Sequence, residues 1–572
     1  MQRCKNRLLN NEKIKAMKKT LLLVVAVLFG IALNAQIPVW DGTTEKWTHG
    51  SGTPEDPYLI ENAQNLAYLA EQVNLPTIHT PYVYEMFSDT CFLLTTDLDL
   101  GGANGLLWTP IGKCDCRNNY HAAKTAFSGN FDGGGHTIYN MHIGPYMDLS
   151  NMSFGLFGMA CNGCIKNIIM ASNCKIDIEG DYYMSGYVLY AGGVLGQGGG
   201  DKMVLEDCVN RCSVRADFCK LNGACCGGLF GNIAGATIRN CHNYGDVYCR
   251  GSVAYYGLCP AGIASYAERC DIYGCTNRGN ITGILCGEFS FAERDALGGI
   301  VGIARGDCNV EQCGNMGNLL YKDENGYNEA MSCGGIVGGT YELAYSTNLF
   351  IKNCYNVADI SVICVLEDIK YNYAGGIFGA SFGYWQDPAN YSLTIENCYA
   401  AGTIAADTVG GVLAHEGWIV YELPKQASVI NSYYLNTIES MNEYGMSLSE
   451  ELMKSEEFVN MLNTDGVVFM MDVNNENNGY PLFANKSPLN VNENNASDGV
   501  SVYPNPANDI INISSENESC KAVEVYSVDG RLVKSQYDNL KTINISDLNT
   551  GVYIMKIRMS DGTEVAKRVM KE

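Results

Sequence analysis

The chain has 572 residues, 47% of them hydrophobic and 10% aromatic, enough apolar surface for a packed core and too much for a disordered chain. A formal net charge of −24 repels nucleic acid and anionic membranes and describes a solvated exterior, so no nucleic-acid partner is expected. With 63 glycines and 36 tyrosines, the composition favours short strands and tight turns over long helices.

Residues 1–35 read as an export signal. Lys18 and Lys19 precede an uncharged run from Leu21 to Leu33, and Met17 is an alternative start. Thirteen residues are too few to span a bilayer but suit the apolar part of a signal peptide, with cleavage expected between Ala35 and Gln36. No later run reaches membrane-spanning length. Of 25 cysteines, Cys4 leaves with the leader.

Residues 36–90 read as an N-terminal cap. From Glu61 to Asn74 the residues Ala63, Leu66, Ala67, Leu69, Ala70 and Val73 recur at helical spacing, a stripe suited to covering the first turn of a coil.

Residues 91–445 are dominated by a recurring phrase. One half is Gly-Gly, two apolar residues and a small residue, as in Gly192–Gly196, Gly227–Gly231, Gly298–Gly302, Gly334–Gly338 and Gly375–Gly379. The other half is a polar residue and cysteine, with Cys174, Cys208, Cys241, Cys275, Cys313, Cys354 and Cys398 spaced 34, 33, 34, 38, 41 and 44 residues apart, fading to Ser432. Two places beyond five of these cysteines stand Asn210, Asn243, Asn277, Asn315 and Asn356. No unit has a helical apolar period, and strands this short cannot bury a face alone. Stacked as turns of a parallel coil about 4.8 Å apart, they place like over like. Cysteine then forms a buried, inert ladder, while Asn supplies both left-handed bends and an amide ladder at the corners. Eight turns make a rod about 35–40 Å long. Disulfides are the alternative for off-ladder Cys225, Cys226, Cys249 and Cys259.

Residues 446–486 read as a C-terminal cap, with Ser449 capping a helix through Met461. Residues 487–498 are Asn-rich and read as a linker, and 499–572 as a small β-sandwich with a turn at Asp529–Gly530.

Two resemblances follow from these phrases. The repeats, with Asp56–Ile60, Leu94–Leu100, Trp108–Gly112 and Phe127–Ile138 before them, resemble GLUG repeats of bacterial surface proteins over about residues 40–486. That resemblance implies a right-handed parallel β-helix. The tail, through Tyr503-Pro504-Asn505-Pro506-Ala507, Asp529-Gly530-Arg531, Gly551 and the closing Lys567–Glu572, resembles the C-terminal sorting domain of the type IX secretion system. It implies export by that machinery to the cell exterior, with the body released or attached to surface lipopolysaccharide. The expected fold is all-β: a right-handed parallel β-helix with helical end caps and a C-terminal immunoglobulin-like sandwich.

Candidate chemistry is sparse. Asp97, Asp99, Asp132 and His136 belong to the phrases of the first turns, where structural roles are expected, and neither Cys114-x-Cys116 nor Cys161-x-x-Cys164 has the partners of a zinc site. No catalytic, cofactor or metal residue is assigned. Tyr355, Tyr399 and Tyr433 follow the ladder in successive units, as an outward stripe for a ligand or as cross-strand packing. Inserts at 321–328, 341–348 and 382–391 are further places for contact. The expectation is a surface-displayed scaffold that binds a glycan or protein, with a carbohydrate-active β-helix enzyme as the alternative.

Overall fold

Short apolar alternations separated by Asn and Gly turns can bury their inner faces only by stacking, and each repeat becomes one turn of a coil. The computed structural model describes residues 37–75, 84–114, 124–144, 152–286, 295–324, 331–342, 347–364, 372–383, 391–418, 427–464, 466–484, 500–503, 509–515, 520–527, 532–537, 540–548, 551–559 and 564–571. In one turn Ala264–Glu268 and Asp271–Tyr273 run along a first face, and Thr276–Asn277 along a second. Ile281–Leu285 and Ala296–Gly298 form the third face, and Gly299-Ile300 leads back to the first at Val301.

All three faces are parallel sheets apart from Lys113–Cys114, which pairs antiparallel with Lys124–Phe127 on the first. The first has twenty strands, the second eleven, and the third is divided between sheets of nine and four. Eleven strands about 4.8 Å apart make a column about 48 Å tall, because early and late turns extend the eight-turn repeat region. Register stacks like over like: Ile165, Leu205, Ile238, Ile272, Val310, Ile351 and Ile395 form one interior row. All seven are buried, and a fully buried aliphatic side chain contributes about 1.5–3 kcal/mol.

The corners divide the labour that was expected of one asparagine. Left-handed backbone falls on the residue before the cysteine: Asp207 (φ 53°), Asn240 (50°), Gly274 (67°), Gln312 (51°), Asn353 (55°) and Asn397 (56°). The Asn two places after the cysteine lies in a strand and contributes through its side-chain amide instead. At the next corner the chain crosses the turn below so closely that a Cβ on Gly279 would stand 2.0 Å from the Gly245 carbonyl oxygen.

Asn62 caps the helix Ala63–Asn74, which buries Asn65 along with the expected apolar stripe. Near the end of the coil the expected single helix is two: Glu450–Met453, capped by Ser449, and Glu456–Leu462. Ser455 breaks them by capping the second, its hydroxyl accepting from Phe458 N–H at 3.3 Å. No helix among the described residues is long and apolar enough to cross a membrane.

The chain divides after Ala484 into two units. The second contains an antiparallel sheet of Val500–Tyr503, Ile510–Ser515 and Thr542–Asn544 and another of Cys520–Ser527, Leu532–Gln536, Gly551–Met559 and Glu564–Lys571. Ile511, Val523, Val525, Ile543, Met555, Ile557 and Val569 make its core.

Candidate functional site

Cys208, Cys241, Cys275, Cys313, Cys354 and Cys398 occupy one buried column, with Ser432 above them. Cys174 does not belong to it. Ile169 pairs with Val209 and Lys175 with Ser213, so Ile168 lies beneath Cys208 while Cys174 lies beneath Cys212 at the following corner. A spacing of 34 residues matched the count but not the register.

The ladder is more than apolar filling. Each Sγ donates to the carbonyl two residues back, at 3.2 Å for Cys241, Cys354 and Cys398. Cys354 Sγ also accepts from the Cys313 N–H at 3.4 Å, and Cys398 Sγ from the Cys354 N–H at 3.3 Å. Ser432 repeats both bonds: its hydroxyl donates to the Ile430 carbonyl at 2.9 Å and accepts from the Cys398 N–H at 3.2 Å. Burial pushes the Cys241, Cys313 and Cys354 thiols well above their ordinary range, which suppresses the reactive thiolate.

Beside it runs the asparagine ladder. Asn210, Asn243, Asn277 and Asn315 each donate Nδ2–H to the Oδ1 of the next rung, at 2.9, 2.8, 2.8 and 2.8 Å, the last reaching Asn356. The same amides close the corner by donating to the carbonyl two residues on, at 2.8 Å for Asn243 and Gly245.

The tyrosine stripe is not a ligand surface. Tyr355, Tyr399 and Tyr433 do point out from the second face, but they are only 3%, 0% and 6% exposed because the segment after the last turn lies over them. Tyr355 and Tyr399 stack with centroids 5.4 Å apart, Phe458 meets Tyr399 and Tyr433 edge-on, and Phe483 lies against Tyr355. Tyr399 hydrogen-bonds through its hydroxyl to Pro481 and to Asn477 Nδ2. The stripe seats the chain's own C-terminal segment.

The acidic phrases of the first turns are turn closures. Asp97 accepts from Thr137 N–H at 2.8 Å and lies 3.3 Å from His136 Nδ1. Burial opposes its ionisation, yet these bonds prevail and hold its carboxyl below the ordinary range. Asp99 accepts from Gly101 N–H and Asn140 Nδ2, and Asp132 from Gly134 N–H and Asn167 Nδ2. Of the inserts, Tyr321 is wholly buried, while residues 325–330, 343–346 and 384–390 lie outside the described residues. So do Ala35, Gln36, Pro504, Asn505, Pro506, Gly530 and the linker 487–498; Gly551 begins a strand.

A group that sequence reasoning missed stands on the outside of the third face. Strand register places Asp177 beside Arg215 and Tyr248, and Glu179 beside Asp217 and Arg250. Arg215 reaches Asp177 at 2.8 Å, Asp217 at 2.7 Å and Glu179 at 3.5 Å, and its guanidinium lies 5.5 Å from the Tyr248 ring centroid. Arg250 spans Asp217 and Glu324, both at 3.3 Å, while Lys175 pairs with Asp177 at 2.8 Å and Lys322 with Glu324 at 3.5 Å. Four carboxylates thus meet four cations. Burial works against the Asp177 charge, but Lys175 and Arg215 outweigh it and hold the carboxyl below its usual range. Arg215, bound by Asp177, is held more firmly protonated. Acid–base glycoside cleavage needs one carboxyl kept protonated at neutral pH, and Asp177 is pushed the other way.

A second missed pattern runs along the first face. Its outer row reads Asp132, Lys166, Glu206, Arg239, Tyr273, Glu311, Lys352 and Glu396. Opposite charges alternate on either side of Tyr273, with contacts of 3.3, 3.4 and 3.0 Å for Lys166–Asp132, Arg239–Glu206 and Lys352–Glu396. Each exposed pair contributes about 0–1 kcal/mol, but slipping by one turn would set like charges together.

Residues 501–572 match the family model described as a secretion system C-terminal sorting domain. This is the tail whose two antiparallel sheets are described above, and it marks the chain for export through the type IX system. No curated protein and no solved structure matches the chain.

Proposed function

We propose that the protein is a scaffold displayed outside the cell, whose solenoid body binds a glycan or protein ligand through the charged outer surface of the third face. The observation that carries this reading is the pairing of a sorting tail with a long repetitive body. Support for binding over catalysis comes from Asp177, Glu179, Asp217 and Glu324, each tied to lysine or arginine. These half-exposed donors and acceptors, with Tyr248 beside them, suit sugar hydroxyls or a polar protein surface.

In this reading the repeats are of the GLUG type, residues 1–35 open the export route, and the type IX machinery carries the body across the outer membrane. The body is then released or attached to surface lipopolysaccharide. Helix Ala63–Asn74 covers the first turn, and the segment after the coil shields the outer side of the second face over its last turns. The tail is a small immunoglobulin-like sandwich.

The test is to present the full chain to a panel of host and plant polysaccharides and surface proteins, measuring retention and soluble products together. Retention that Arg215→Ala with Arg250→Ala abolishes is expected. Release of oligosaccharide would replace the binding reading with the carbohydrate-active enzyme.

A further inference from the structure

The described thiols differ in what their sulfur atoms meet, and off the ladder Cys259 meets Cys225. Those of the ladder each meet a backbone carbonyl, as Cys241 Sγ does at 3.2 Å. Cys226 and Cys249 instead meet each other, with Sγ atoms 3.1 Å apart and both residues 0% exposed. They are 23 residues apart in sequence. Cys226 lies next to the end of the third-face strand Ser213–Gly227, and Cys249 near the start of the next, Val247–Leu258.

Strand alternation decides which neighbouring cysteine is involved. Cys225 and Cys226 are consecutive residues of one strand, so their side chains leave on opposite sides. Cys226 and Cys249 both belong to the main interior cluster of the coil. Cys259, one place beyond the Ala224–Leu258 pair, stands in register with Cys225 and packs in a separate cluster with Ala296 and Ile303. The sulfur atoms of Cys226 and Cys249 are about 1 Å beyond the bonded distance of about 2.05 Å.

We propose that Cys226 and Cys249 form a structural disulfide in the exported protein, stitching two successive turns together through the core. The sorting tail takes the chain away from the cytosolic thiols that keep such pairs reduced. The reaction is exchange with an external disulfide. One thiolate attacks a sulfur of that disulfide and releases one thiol, and the second cysteine then attacks the mixed disulfide and releases the other. Two thiols and one disulfide become one disulfide and two thiols, and the external disulfide takes up two electrons and two protons. Burial pushes the Cys249 thiol well up, so exchange belongs to the stage before the coil closes.

The experiment uses the full chain collected after export, unfolded in denaturant with a maleimide and no reductant, then digested and mapped. Cys226 and Cys249 are expected to stay unlabelled, in one cross-linked species two hydrogens lighter than its separate peptides, and to label after reduction. Cys226→Ser should free Cys249 for labelling, and Cys225→Ser should leave it blocked. Because labelling is done on the unfolded chain, a variant that folds poorly still reports. Labelling of both residues without reductant overturns the proposal, and so does release of Cys249 by Cys225→Ser.

Discussion

Removing one rung of the asparagine ladder should cost more than any surface change of similar size. Asn243 is fully buried and serves four partners. Its Nδ2 donates to Gly245 O at 2.8 Å and to Asn277 Oδ1 at 2.8 Å, and its Oδ1 accepts from Asn210 Nδ2 at 2.9 Å and Gly245 N–H at 3.3 Å. Asn243→Ala strands four buried polar groups, each worth about 1–3 kcal/mol. The vacated space has the size and polar lining to admit a water, so the expected loss is about 3–5 kcal/mol, below the simple sum. The control is Asn280→Ala, an exposed rung that loses one bond, from Asn318 N–H at 3.2 Å, and should cost about 0.5–1 kcal/mol. Thermal unfolding of the full chain, with peptide-resolved hydrogen exchange, reads the difference. At about 1.4 kcal/mol per tenfold, amides around residues 209–212, 242–245 and 276–279 should exchange faster by about 10²- to 4 × 10³-fold. If Asn243→Ala costs no more than Asn280→Ala, the ladder is not what holds the corner and the reasoning fails.

Cys354→Ser should cost under about 1 kcal/mol and Cys354→Val about 1–3, because serine keeps the bonds to Lys352 O and Cys313 N–H while valine orphans the N–H; Val more stable than Ser in denaturant titration would return the ladder to apolar filling. Asp207 is pushed up by burial and by Glu206, so its folded pKa lies above 3.8 and stability contributed by its protonation is full below 3.8 and lost as pH rises toward the folded value. Asp207→Asn, which installs the residue found at 240, 353 and 397, should flatten that slope and raise the melting temperature at neutral pH; an unchanged slope across that acidic window counts against it. Tyr399→Ala should loosen the segment 446–484 before the coil, at about 3–5 kcal/mol for an emptied aromatic site, seen as early proteolysis confined to that segment. Cleavage inside the coil at the same rate would contradict that order.

The periodic part of the fold was open to reading because a stacked coil repeats its demands. A Gly-Gly phrase, an apolar pair and a polar-Cys pair recur because each turn meets the same corner, whereas the hydrogen bonds that Ser432 shares with the cysteines emerge only once the turns are stacked. Counting residues was a weaker guide than pairing. Cys174 fits the interval of 34 yet belongs with Cys212, since a turn may gain residues at one corner without changing the chemistry of the next. Strand alternation turns the tyrosine stripe outward, but exposure depends on what returns to cover it, and Phe458, Phe469 and Tyr480 come from after the last turn.

The charged rows were legible in principle. The residue two places before each ladder cysteine changes sign from Glu206 to Arg239 and from Glu311 to Lys352 to Glu396, a pattern invisible along the chain and plain once one turn is laid over another. The same reasoning explains why the flank of Asp177, Arg215, Asp217 and Arg250 could not be read as a site beforehand: its members are 2 to 73 residues apart and meet only through register. Register is therefore the quantity on which both stability and recognition depend in this molecule. A slip of one rung would leave asparagine over asparagine within the ladder but set like charges together on the first face and separate Arg215 from Asp177. A ligand that bridges several turns would oppose such a slip, so binding on the third face should slow hydrogen exchange at the asparagine rungs on the second. Binding without that protection would separate recognition from register and leave the charged flank as structural reinforcement alone.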